Sequence, residues 1–151
     1  MRHAPAGEKP EIQSAQMSER HFSRLLELYT AAWSFEGAPI WREIEALYAQ
    51  DPDIIFYDAF LPAPLIGRDA MIAHSKSLFG DLARLTVSTV GRCEVRRLGE
   101  HFATVASELV FAAEMRDGKS THIPMRLTLV WERRDGRWLI VHEHVSAASP
   151  H

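Results

Sequence analysis

The second half of the chain constrains the fold most. Residues 85–97, 102–115, 123–133 and 138–145 are rich in Val, Thr, Leu and aromatics, and glycine turns separate them at Leu98-Gly99-Glu100, Asp117-Gly118 and Asp135-Gly136. β-Branched and aromatic runs suit a pleated, half-buried surface. Asp-Gly between such runs is a hairpin signal, so four long strands are expected to form one antiparallel meander.

The first half carries a different period. In residues 18–35, Phe22, Leu25, Leu26, Tyr29, Ala32 and Trp33 recur at helical spacing, with Ser18 as the expected N-cap and Gly37 as the stop. A shorter helix is expected from Pro39, with Ile40, Trp41, Ile44, Leu47 and Tyr48 on one stripe before Pro52. Ile54-Ile55-Phe56-Tyr57 reads as a strand ending at Asp58. Residues 60–66, which include Pro62 and Pro64, read as a loop because proline cannot pair in a central strand. Gly67-Arg68-Asp69 opens a third helix, which carries Met71, Ile72, Leu78 and Phe79 to Gly80. Helices first and strands last imply an α+β domain, with three N-terminal helices covering one face of a curved, mostly antiparallel sheet.

At 151 residues there is room for one such domain. It is expected over residues 17–147, with a flexible arm at 1–16 and a short tail at 148–151. The formal charge is -3 and no Lys/Arg stripe is present, so nucleic acid and anionic membranes are not expected partners. The chain has no apolar leader segment, no apolar run of membrane-spanning length and one cysteine, Cys93, a pattern that suits the cytoplasm.

Face assignment in the last hairpin depends on its turn. A three-residue loop closed by a G1 bulge at Gly136 would pair Arg133 with Arg137. That register sets Leu127, Leu129 and Trp131 on one face with Leu139, Val141, Glu143 and Val145. The other face then holds Arg126, Thr128, Val130, Glu132, Trp138, Ile140, His142 and His144. A two-residue type I′ turn would exchange the partners; the bulge is preferred because it leaves one apolar face interrupted only by Glu143.

The run from Leu129 through Trp131-Glu132-Arg133-Arg134-Asp135-Gly136-Arg137-Trp138 to His142-Glu143-His144-Val145-Ser146 closely resembles the end of the calcium/calmodulin-dependent protein kinase II association domain. It is also similar to SnoaL-like polyketide cyclases and ketosteroid isomerase relatives in the nuclear transport factor 2-like superfamily. The order of elements over residues 18–146 follows the same pattern. The resemblance implies a cone-shaped, cystatin-like barrel, usually a homodimer, with a deep pocket between the sheet and the first helix. It does not decide between enzymes and assembly domains.

Asp58 matches the place, counted back from Gly67, where ketosteroid isomerase-like enzymes carry their general base. Beside Phe56, Phe60 and Leu61 it would be partly desolvated, which favours its protonated form; ketosteroid isomerase itself tunes its carboxyl groups through their surroundings in this way. The alternative is a strand-end Asp capping the proline loop. Glu143 is the lone acid on the apolar face and a candidate second acid/base group; in the other register it would face solvent. Tyr29 and Trp33 lie on the inner stripe of the first helix, where the relatives use a tyrosine as oxyanion donor, and neither matches that position cleanly; core aromatics are the alternative. Phe56, Leu109, Phe111, Leu127, Leu129, Val141 and Val145, with Trp33, are the expected pocket wall. Leu109, Leu129 and Val145 stand where the kinase domain places pocket arginines, which implies an apolar ligand. His142 and His144 share a strand face with chelating spacing, yet no third ligand is near, so neither a metal nor a cofactor is expected. The expected function is cofactor-independent proton transfer on a small apolar carbonyl compound by an isomerase, cyclase or dehydratase. The alternative is a non-catalytic domain for ligand binding or oligomerisation.

Overall fold

The computed structural model describes residues 10–148. Its elements are α1 (Pro10–Trp33), β1 (Phe35–Glu36), α2 (Trp41–Glu45), β2 (Ile55–Tyr57), β3 (Leu65–Ile66), α3 (Arg68–Phe79), β4 (Leu82–Leu98), β5 (Phe102–Met115), β6 (Ser120–Arg134) and β7 (Arg137–Ala147). The strands form one sheet in the order β1-β4-β5-β6-β7-β2-β3. The four long strands make the antiparallel meander, and β2 joins its far edge parallel to β7. The helices pack on the curled sheet as a half-barrel, an α+β architecture.

Apolar spacing explains how α1 sits. Phe22, Leu26, Tyr29 and Trp33 return to the same side of the helix and are all buried, while Leu28 on the far side is exposed. Each large side chain so buried contributes roughly 1.5–3 kcal/mol. The facing sheet supplies Leu85, Val87, Val105, Leu109, Leu127 and Leu129, all buried. Irregular register between Val90 and Glu94, where Gly91 takes φ 74°, bends β4 and lets the sheet curl. Cys93 lies in this bulge, half-buried, with Sγ 3.3 Å from Ser23 Oγ.

Several local expectations are corrected. α1 begins at Pro10, where a missing N–H is no loss, and Ser18 lies inside it rather than at its cap. Residues 10–16 of the expected arm are therefore helical; its residues 1–9 and residues 149–151 of the tail lie outside the described residues. Within the expected loop at 60–66, Leu65 and Ile66 form β3, which pairs with β2. It is an edge strand, where the preceding Pro64 leaves no ladder bond unmade.

The last turn differs most. Arg134 pairs with Arg137, and Asp135 and Gly136 have φ 50° and 75°, the two left-handed residues of a type I′ turn rather than a three-residue loop. A bulge at Val141 then shifts the register between Val130 and Trp131. Near the turn Trp131 pairs with Ile140, so Ile140 and Trp138 belong to the inner side and Leu139 to the outer, the reverse of expectation. Ile140 is fully buried and Trp138 packs edge-on against Phe22. Below the bulge Leu129 pairs with Glu143 and Leu127 with Val145, so these four share one face as expected, two residues out of the expected register.

Candidate functional site

Glu143 enters the core because of that bulge. Strict alternation from Ile140 would turn Glu143 outward, but the extra residue lets both point in. The residue is only 7% exposed. The O–H groups of Tyr29 and Tyr48 each donate to its Oε1 at 2.7 Å, and Trp33 Nε1 donates to the Tyr48 oxygen at 3.0 Å. No partner is found for Oε2 among the described residues. Burial pushes the Glu143 carboxyl up from 4.5 to about 7, the two tyrosine bonds pull the other way, and the charge of Asp58 adds to the rise. Both tyrosine hydroxyls are raised well above the ordinary value, chiefly by burial and then by Glu143, so they stay neutral donors.

Tyr48 was legible in the sequence only as an apolar stripe residue. Its reach is fixed by the backbone: Ile140 N–H donates to the Leu47 carbonyl at 2.8 Å, and Ala49 N–H donates to the Ile140 carbonyl at 3.0 Å. The strand that carries Glu143 thus also holds the tyrosine that binds it. A buried tyrosine needs a partner for its hydroxyl, and that need was the available signal.

Asp58 follows β2, which lies alongside Glu143 through the Phe56–Glu143 pairing. Its Oδ1 accepts the Phe60 N–H at 2.7 Å, the capping geometry of a strand-end turn. Its side chain is 27% exposed, in keeping with the partial desolvation expected of it, and the deeper burial belongs to Glu143. His74 of α3, which the sequence reading did not single out, turns Nε2 toward Asp58 Oδ2 at 3.8 Å, beyond hydrogen-bond reach. Gly67 sets the start of α3: it has φ 87°, and a Cβ there would meet the Pro52 carbonyl oxygen at 3.3 Å.

One cavity receives both carboxyl groups. It is a narrow cleft of about 30 Å³ that opens to solvent, and its wall includes Tyr29, Trp33, Phe56, Phe111 and Val145 from the expected set. Phe60, Leu65, Met71, Ser75, Leu78 and Phe79 also line it and come from β3, α3 and the loop, where sequence spacing gave no view of the pocket. Leu109, Leu127 and Leu129 do not line it; they are buried in the core. Val141 is the half-buried bulge residue and does not line it either. On the outer face His142 Nδ1 donates to the Ile55 carbonyl at 2.8 Å, and Tyr57 packs against the rings of His142 and His144.

The family model of the calcium/calmodulin dependent protein kinase II association domain matches residues 40–149. The chain belongs to this family. No curated protein matches it. A Xanthomonas campestris structure provisionally described as that association domain is 22% identical over 100% of this chain and 99% of its own, with TM-score 0.75. A Novosphingobium aromaticivorans structure provisionally described as a scytalone dehydratase is 14% identical over 93% of this chain and 89% of its own, with TM-score 0.76. A nuclear transport factor 2-like superfamily protein of Salmonella enterica is 17% identical over 90% of this chain and 94% of its own, with TM-score 0.72. At these identities the likeness to the solved structures establishes the fold alone. Among the described residues no helix is long and apolar enough to cross a membrane.

Proposed function

We propose that this family member is a cofactor-independent acid/base enzyme that moves a proton on a small apolar carbonyl compound, in the manner of an isomerase, cyclase or dehydratase. The observation that carries the reading is Glu143: a buried carboxyl at a cavity wall, fixed by two tyrosines and held at about 7. A group with that proton affinity is part-ionised at neutral pH and still basic enough to take a proton alpha to a carbonyl. Tyr29 and Tyr48 hold Oε1, which leaves Oε2 for the substrate. Asp58 is the second carboxyl in the cavity, and its charge makes Glu143 the stronger base.

Hydrogen–deuterium exchange into a panel of small ketones and enones tests this. Glu143→Gln keeps an acceptor for both tyrosines and removes the base, so exchange is expected to fall by the ~10²–10⁴ typical of a lost general base. Asp58→Asn is expected to lower it less. Loss in Asp58→Asn with full activity in Glu143→Gln would transfer the role of base to Asp58. Equal exchange by all three proteins would sink the catalytic reading and favour a binding or assembly domain, the role suggested by the name of the matched family.

A further inference from the structure

The cavity is one-sided in its electrostatics. Asp58 and Glu143 both line it, and among the described residues no Lys or Arg does. Much of the wall that the body of a ligand would meet is aromatic: Trp33, Phe56, Phe60, Phe79 and Phe111. A ring that turns its face to a ligand is negative at its centre and attracts ammonium groups, which acts in the same sense as the carboxyl groups. His74, 3.8 Å from Asp58, does not line the cavity. Glu143 is more than nine-tenths buried, and its Oε2 has no hydrogen-bond donor among the described residues. The charge of Asp58 also reaches the inner end, where it helps hold the protons of Glu143 and Tyr29. A field that favours a bound proton favours other cations in the same space and opposes anions.

We propose that the cavity selects small organic cations, ammonium-bearing molecules with an apolar body, against carboxylates and phosphates of the same shape. The ammonium group sits by Asp58 and the body lies among the rings. This deepens the acid/base reading by giving the charge of its substrate, and it rests on that reading only for the choice of site.

Benzylamine, benzyl alcohol and benzoate share a ring and differ in charge. Each is titrated into isotope-labelled protein at low salt and about neutral pH, where the amine is protonated, with the Trp33 indole signal as the reporter. Benzylamine is expected to bind about tenfold tighter than the alcohol, with benzoate weakest. Asp58→Asn, which still offers an oxygen to the Phe60 N–H, is expected to remove the preference for the amine. Added salt is expected to narrow it in the unaltered protein, which keeps the test available should the variant not fold. Benzoate binding as tightly as the amine, an amine preference indifferent to both Asp58→Asn and salt, or no response of Trp33 to any of the three would overturn the proposal. Exchange activity on neutral ketones without an amine preference defeats this inference and leaves the acid/base reading standing; an amine preference without exchange does the reverse.

Discussion

Burial holds the Glu143 carboxyl at about 7 against an ordinary 4.5, and that difference links its protonation to stability. Below about pH 4.5 the group is protonated in both the folded and the unfolded chain and costs nothing. As pH rises toward 7 the unfolded chain ionises first, and above 7 the folded protein carries a buried charge at a cost of up to about 3 kcal/mol. Glu143→Gln has no charge to bury and keeps an oxygen for Tyr29 and Tyr48. It is therefore expected to be more stable than the unaltered protein at about pH 8 by a comparable amount, the gain fading as pH falls to about 4.5. Urea unfolding at the two pH values measures this, and a variant less stable at the higher pH would contradict the burial cost. The sequence named Glu143 as the lone acid on an apolar face, but the preferred turn behind that assignment was wrong. The tighter turn and the Val141 bulge each shift the register by one residue in the same sense, and the total of two returns Glu143 to the expected face opposite a different partner, Leu129.

The hairpin between β6 and β7 is the element on which this placement depends. Asp135 and Gly136 both occupy the left-handed region, and their twist matches that of the strands they join. Gly136→Ala puts a Cβ at φ 75°, with open space around it, so the cost comes from backbone strain alone. A loss of about 1–2 kcal/mol in thermal or urea unfolding is expected. Asp135→Gly, which relieves the neighbouring left-handed residue, is expected to cost much less; equal losses in the two variants would argue against the type I′ geometry. The turn residues were readable from the sequence, yet Asp-Gly serves two turn types. The choice was made by packing, which buries Ile140 and Trp131 side by side.

At the scale of the whole molecule, a homodimer remains our proposal on altered grounds. Trp138, Ile140 and Val130 are expected together on the face opposite Leu127 and Leu129, and the first two pack inward instead. What the sheet does leave outside is Ile66, Ile55 and Tyr57, 59%, 40% and 44% exposed on the same face of β3 and β2. Contiguous exposed apolar surface is what association sites present, and a symmetric pair would bury these residues on both copies. Light scattering at about micromolar concentration is expected to give twice the chain mass, and Ile66→Glu to shift it toward the monomer. A monomer in the unaltered protein would remove the proposal.

Periodicity and turn residues depend on near neighbours, so the sequence alone determined the inner stripe of α1, the four-strand meander and the breaks at Gly67, Gly80 and Asp117-Gly118. It also determined which acids were candidates, because an acid among apolar residues is visible without coordinates. What only the tertiary structure decided is which acid is buried and what holds it. Tyr48 and Glu143 are far apart in the chain and meet at 2.7 Å because the segment after α2 pairs its backbone with Ile140. Long-range pairing of that kind leaves no period in the sequence, since it is set by how the sheet closes around α1.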